Sequence, residues 1–128
     1  NKVVVSYIKA RMKYNPNFEL IENPSGNIFD SIAGYNILGV HGEMKDMEKA
    51  IKDLTNTYGV EIHYLLGGHL HHSASETTGV KKGVIRVPSV VGIDDFAMTL
   101  NKCSNPAAVI VEFTPNHGKT AEYFIDLT

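Results

Sequence analysis

Three histidines lie beside glycines at two places in the chain, and their spacing suits metal coordination. His41 occurs within Gly39-Val40-His41-Gly42, and His69 and His71 occur within Gly68-His69-Leu70-His71. Neutral imidazole nitrogen is a ligand for zinc, iron and manganese. Residues two apart in an extended segment project to one side, with Cα atoms ~6.5–7 Å apart. His69 and His71 can therefore bind one ion, or one ion each of a pair ~3.5–4 Å apart, as in two-metal hydrolytic sites.

The other three histidines have different predicted places. His63 lies within an apolar run and is predicted to be a packed or surface residue. His72 projects opposite to His71 in an extended segment, so it is not expected to coordinate an ion; it would either contact a metal ligand from behind or touch substrate. His117 falls in a predicted hairpin turn and is expected to be solvated. A single histidine after a strand is a weak signal, so the metal interpretation depends on His41 and the His-x-His pair meeting in space.

Two strands and the helix between them are the elements expected to bring these histidines together. Spacings of three and four residues define one apolar helical stripe, followed by a C-cap glycine: Met44, Met47, Ile51, Leu54, Tyr58 and Gly59. Apolar runs at 35–40 and 62–66 predict a strand on each side of this helix. Such a connection is long enough for a right-handed crossover between parallel strands. Because ligands bind beyond the carboxyl ends of parallel strands, both histidine segments are expected at one edge of the sheet.

The rest of the chain is predicted to be β-rich after a short amino-terminal region. Residues 3–13 fit a helix or a strand, and the basic residues near the end of this segment favour a helix. The further expected elements are strands at 18–22, 28–33, 83–87, 107–114 and 120–127, a turn at 23–26, and a loop with a short helical turn at 92–104. The last two strands are expected to form a hairpin.

Composition narrows the classes of protein that fit. The 128 residues suffice for one compact domain or for part of a larger one. The net charge of −2 provides no broad basic field, which argues against a nucleic-acid-binding protein without catalytic chemistry. Cys103 is the single cysteine, so no internal disulfide forms, and a reducing, cytoplasmic setting is predicted. Every apolar run is far shorter than the ~20 residues needed to span a bilayer, so no membrane partner is expected.

These histidine motifs resemble those of the calcineurin-like metallophosphoesterase superfamily. The family pattern runs DxH, GDxxD, GNH(D/E), a lone His and GHxH; His41 matches the lone His, and His69 and His71 match GHxH. The resemblance implies that His41 and His69 bind one ion and that His71 binds its neighbour, with Mn, Fe or Zn as the two divalent metals. It also implies an αββα sandwich. Residues 88–95 and 101–105 resemble phosphoesterases carried by bacteriophages and prophages.

The chain departs from the family pattern because DxH, GDxxD and GNH(D/E) do not occur in it. Asp94 and Asp95 follow GHxH and are on the wrong side of it to replace the bridging aspartate. The resemblance therefore implies that residues 1–128 are a single partial domain, the C-terminal half of an α/β phosphoesterase domain. This half has a mixed sheet with a βαβ crossover and a β-rich tail, and its partner is the upstream N-terminal half.

The function implied is hydrolysis of a phosphate mono- or diester, with a nucleotide or nucleic acid among the candidate substrates. No general acid is assigned in this chain, which is expected to bind at most one metal weakly and to be inactive alone. His72, Arg86, Asp94 and Asp95 are predicted to line the substrate cleft. The alternative is a non-catalytic module with a single His-ligated ion, although a structural zinc site normally has four protein ligands.

Overall fold

A computed structural model describes residues 2–23, 26–41, 46–70, 74–91 and 105–128, and only the backbone at residues 47, 48, 69 and 70. Two helices and seven strands follow one another along these residues. In chain order they are α1 (Lys2–Met12), β1 (Ile28–Ile32), β2 (Tyr35–His41), α2 (Met47–Tyr58), β3 (Tyr64–Leu70), β4 (Ala74–Gly79), β5 (Lys82–Pro88), β6 (Ala107–Thr114) and β7 (Gly118–Asp126).

The strands form a mixed five-stranded sheet and a separate two-stranded sheet. The larger sheet has the order β1-β2-β3-β5-β4, and β6 pairs with β7 in the smaller one. The three central strands of the larger sheet are parallel, whereas β1 and β4 run antiparallel to their neighbours at its two edges. The protein is therefore of the mixed α/β class, with few helices.

Apolar side chains cover both faces of the central strands. One core cluster joins Leu38, Leu65 and Val84 to Ile51 of α2, and the second joins Tyr35, Ile37, Tyr64 and Ile85 to Val111 and Phe113 of β6. Successive strand residues face opposite sides, so a strand buried on both faces reads as a continuous apolar run. Burial of a leucine contributes about 1.5–3 kcal/mol, which makes these clusters the main source of stability.

Helix α2 is capped at both ends by its own sequence. The carboxylate of Asp46 accepts a hydrogen bond from the Lys49 N–H at 2.9 Å, and Gly59 ends the helix with φ of 68°. The Gly59 N–H donates to the Thr55 carbonyl at 3.0 Å. The predicted helix and its C-cap glycine are confirmed, with the helix beginning at Met47; Met44 lies outside the described residues.

The amino-terminal region differs in part from the prediction. The helical alternative for residues 3–13 is confirmed, and α1 directs Val5, Ile8 and Met12 to its half-buried side. The predicted strand at 18–22 is wrong, because this segment has no strand partner among the described residues. Its apolar residues are insufficient alone, since a strand depends on a neighbouring strand to satisfy its backbone groups.

Strand β4 was not expected from the sequence. Its residues Ser75, Glu76 and Thr77 are exposed, and it pairs with β5 at one edge of the sheet. Such a polar segment carries little strand signal because packing against neighbours is what strand propensity measures. The segment 92–104, predicted as a loop with a helical turn, lies outside the described residues. Neither described helix has the length and apolar character required to cross a membrane.

Candidate metal centre

The parallel pairing of β2 with β3 brings two of the predicted ligand positions to the same sheet edge. Val40 pairs with Gly67 and His41 pairs with Gly68, so His69 is the next residue along β3. Neighbouring strands are about 4.8 Å apart, which sets the separation of the paired backbones. The backbone positions of His41 and His69 are therefore close, at the carboxyl ends of adjacent parallel strands.

Both strands extend further than the sequence predicted. Strand β2 includes His41, and β3 continues through both glycines to Leu70 instead of ending at Leu66. Glycine is unfavourable within a strand, but here β3 has a partner on each side, β2 and β5, which satisfy its backbone groups. His69 is consequently a strand residue rather than a loop residue.

An irregularity in β3 coincides with the start of the GHxH segment. Gly67 pairs with Arg86, but Leu70 pairs with Pro88, so three steps along β3 correspond to two along β5. The extra residue makes a β-bulge, a feature that changes the direction of side chains and is frequent beside functional sites. The simple alternation assumed for His69 and His71 therefore does not hold through Gly68 and His69.

The side chain of His41 lies on the face of the sheet that β6 and β7 cover. It has the same strand parity as Tyr35 and Ile37, which belong to the core cluster on that face. A Cβ atom placed on Gly68 would be 4.0 Å from His41 Nδ1. Glycine at this position leaves space beside the imidazole ring, which fits a ring that coordinates an ion at the sheet edge.

The other predicted ligands and several predicted substrate contacts lie beyond what is described. This holds for the side chain of His69 and for His71, His72, Asp94 and Asp95. Within the described ranges, no three His, Cys, Asp or Glu side chains lie close enough to bind one ion. Of the three predicted ligands, only His41 has a side chain that the structure describes. The three-histidine cluster therefore stays a prediction.

Arg86 is described, and it faces away from His41. Its guanidinium NH1 is 3.7 Å from Glu76 Oε2 on the neighbouring strand. Arg86 shares the strand parity of Val84, which packs on the α2 side of the sheet. Any contact of Arg86 with substrate at the His41 side would thus require the guanidinium to leave Glu76 and pass around the end of β5.

Two remaining histidines lie where the sequence predicted. His63 is a packed residue: its Nδ1 accepts a hydrogen bond from the Asn36 N–H at 3.0 Å, and its ring meets Tyr35 edge-on at 5.4 Å. His117 is exposed in the turn between β6 and β7. Gly68 lies beyond the predicted end of its strand at residue 66, but the structure makes it the strand neighbour of His41.

The chain is similar in sequence to a prophage-derived protein. No protein-family model matches the chain. The SPbeta prophage-derived protein YonJ of Bacillus subtilis is 24% identical over 127 residues, which cover 95% of this chain and 31% of that protein. The chain thus spans about a third of the length of this relative, and its likeness to a prophage protein agrees with the phage-type resemblance of its sequence.

Two solved structures share the fold at low sequence identity. Vps29 of Entamoeba histolytica, crystallised with zinc, matches with a TM-score of 0.53 and 16% identity, over 89% of this chain and 67% of Vps29. Protein TM1076 of Thermotoga maritima matches with a TM-score of 0.55 and 10% identity, over 96% of this chain and 74% of that protein. Vps29 has the calcineurin-like metallophosphoesterase fold, and the mixed α/β architecture described above is compatible with it.

Proposed function

We propose that this chain supplies the histidine ligands of a dinuclear metal centre that hydrolyses a phosphate mono- or diester. The observation that carries the proposal is the pairing of His41 with Gly68, which makes His69 the adjacent position on the next strand. Ligands from sequence-distant segments then converge without a long loop. The fold shared with Vps29 supports the same reading, and the zinc in that structure supports a divalent ion.

Each histidine has a distinct role in this proposal. His41 and His69 coordinate one ion, and His71 coordinates its neighbour. Neutral imidazoles suit Mn, Fe and Zn. When bound, such an ion pair polarises the phosphate oxygens and lowers the pKa of a bound water. The three histidines act as ligands and do not transfer protons, so the general acid comes from another part of the protein.

The proposed centre also needs carboxylates that this sequence does not carry in the family positions. Two cations held close together repel unless an anion bridges them. An N-terminal half of the same domain would provide that bridge, and the length of YonJ beyond the matched region supports a larger parent protein. Alone, the chain is expected to bind at most one ion, weakly, and to show no turnover.

A cobalt titration tests the ligands directly. Co²⁺ added to the chain is expected to give the visible absorption of a nitrogen-ligated ion with at most one equivalent bound, and His41→Ala and His69→Ala should abolish it. His117→Ala removes an exposed imidazole from the β6–β7 turn and serves as the matched control, which should bind Co²⁺ like the unmutated chain. Equal Co²⁺ binding by His41→Ala and the unmutated chain would overturn the assignment of His41 as a ligand.

A second measurement separates the enzyme from a non-catalytic module. The parent polypeptide that contains this chain is expected to hydrolyse bis-p-nitrophenyl phosphate with Mn²⁺, and the His69→Ala variant of it should lose this activity. Binding of one ion by the parent polypeptide without any hydrolysis would instead establish the single-ion module. This alternative has support because, within the described ranges, no group of three or more His, Cys, Asp or Glu side chains could hold an ion.

A further inference from the structure

A cleft of about 630 Å³ opens at the opposite end of the sheet from the histidines. It lies between α2 and the turn that joins β4 to β5, and Ile62, which precedes β3, forms part of its wall. Gly68 is six residues further along, which corresponds to about 20 Å at extended spacing. The cleft is therefore separate from the candidate metal centre, and its volume is in the range of small-molecule sites.

The cleft has both buried and exposed apolar residues in its lining. Ile51 and Ile62 are 7% and 1% exposed and belong to the core cluster between α2 and the sheet. Val80 at the β4–β5 turn also lines the cleft and is 87% exposed, so it presents a large apolar side chain to water. A bound molecule with an aliphatic body would cover Val80, and removing this exposed side chain from water gains hydrophobic free energy.

Among the described residues that line the cleft, one positive side chain has no ion-pair partner. Lys82 forms an ion pair with Glu61, and both residues line the cleft. The hydrogen bond from Lys82 and the charge of Lys82 lower the pKa of Glu61, which keeps this pair ionised at neutral pH. Lys52 of α2 lines the same cleft and has no hydrogen bond or ion pair within the part of the chain that the structure describes.

We propose that this cleft binds a small aliphatic carboxylate, with its chain against Val80 and its carboxylate at Lys52. Among the lining residues that the structure describes, Lys52 is the one unpaired cation, which fits a monoanion better than a polyphosphate. None of these described lining residues is aromatic, so they offer a nucleotide base nothing to stack on. The ligand class therefore differs from the phosphate ester proposed for the histidine edge, and the site stands independently of that proposal.

Titration with octanoate, followed by amide chemical shifts in ¹H–¹⁵N NMR spectra, tests the site. Octanoate is expected to shift the signals of Lys52, Ile62 and Val80 in a saturable way, whereas inorganic phosphate should not. Lys52→Met keeps the aliphatic stem but removes the charge, and it should weaken octanoate binding ~3- to 5-fold, the range expected for an exposed ion pair. Lys49→Met, on the same helix but outside the cleft, is the matched control and should bind normally.

Two further arms make the result unambiguous. Octanol should bind Lys52→Met and the unmutated chain equally, because octanol lacks the carboxylate that would contact Lys52. Val80→Asp places a negative charge, the same sign as that of octanoate, at an exposed turn residue. Its spectrum should remain that of a folded protein, whereas octanoate binding should be lost. Absence of saturable shifts at the cleft, or unchanged affinity in Lys52→Met, overturns the proposal. His41→Ala should leave octanoate binding intact, so failure here is separable from failure of the metal site.

Discussion

The two ends of β3 differ in what holds them. At its amino end, Tyr64 and Leu65 are 4% and 0% exposed and pack between helix α2 on one face and strand β6 on the other. At its carboxyl end, Gly67 and Gly68 have no side chains to pack, and a bulge interrupts the register with β5. One strand thus combines a tightly packed anchor with an irregular end. The amino end of β3 therefore contributes to the stability of the fold, whereas the carboxyl end contributes less packing and carries the candidate ligand His69.

The largest expected effect comes from breaking the anchor. Leu65→Ala removes a fully buried side chain from the centre of the sheet and should destabilise the protein by about 3 kcal/mol, because a cavity remains. Urea unfolding measures the change. Val80→Ala, at an exposed turn, is the control and should change stability by less than about 0.5 kcal/mol. Similar losses of unfolding free energy in Leu65→Ala and Val80→Ala would contradict the conclusion that the packing around Leu65 stabilises the fold.

The next effect concerns the contact between the β6–β7 hairpin and Tyr64. The Lys119 N–H donates to Tyr64 Oη at 2.9 Å, and a Cβ atom on Gly118 would overlap that oxygen. Gly118 also has φ of 75°. Gly118→Ala should therefore cost about 2–3 kcal/mol, from left-handed backbone strain together with the overlap.

Gly59→Ala provides the comparison for that substitution. Gly59 has a similar φ of 68°, but nothing lies within 4 Å of its Cβ position. This variant should lose only the conformational part, about 1 kcal/mol. Thermal unfolding of both variants measures the difference, and equal losses would show that the Tyr64 contact contributes nothing.

At the irregular end, the expected effect is on metal affinity rather than on stability. A Cβ atom on Gly68 would meet Val40 O at 3.8 Å and His41 Nδ1 at 4.0 Å, which are ordinary contact distances. Gly68→Ala should leave the unfolding free energy nearly unchanged but weaken Co²⁺ binding about tenfold, because the methyl group occupies space beside the ligand ring. A variant that unfolds easily would contradict the view that this end is loosely packed.

The smallest expected effect depends on pH. Glu122 receives hydrogen bonds from Lys119 and Ser75; burial raises its pKa, but these bonds and the Lys119 charge outweigh it and hold the pKa below the usual 4.5. A carboxyl group with a lowered folded-state pKa stabilises the protein above its unfolded-state pKa, and this is lost as the pH falls through the folded value. Glu122→Gln should remove that acid-dependent loss, at most about 1 kcal/mol, between pH 5 and pH 3 in urea unfolding. An unchanged pH profile would contradict the role of this pair.

Helix α2 could be predicted from sequence because its determinants are local. The apolar spacing and Gly59 lie within the helix or directly beside it, and the structure bears them out. The parallel strands around it could also be expected, since each reads as an apolar run covered on both faces.

Features that depend on distant partners could not be predicted in the same way. β4 is polar and becomes a strand only by pairing with β5. The segment 18–22 has several apolar residues but no strand partner among the described residues. The bulge at Gly68 and His69 is a mismatch between β3 and β5, so it cannot be read from either strand alone. The cleft beside Lys52 could not be predicted from the sequence either, because the turn between the unexpected strand β4 and β5 forms one of its walls.

The polar character of β4 also affects whether a further strand can pair with that side of the five-stranded sheet. An edge strand offers unpaired backbone groups to other chains, and short strands with polar or charged side chains discourage such pairing. β4 has this protection through Ser75, Glu76 and Thr77. On the far side, Ile28 and Ile32 of β1 are 69% and 44% exposed. The two outer strands of the sheet therefore differ: β4 presents a run of polar side chains to water, whereas β1 also presents two isoleucines.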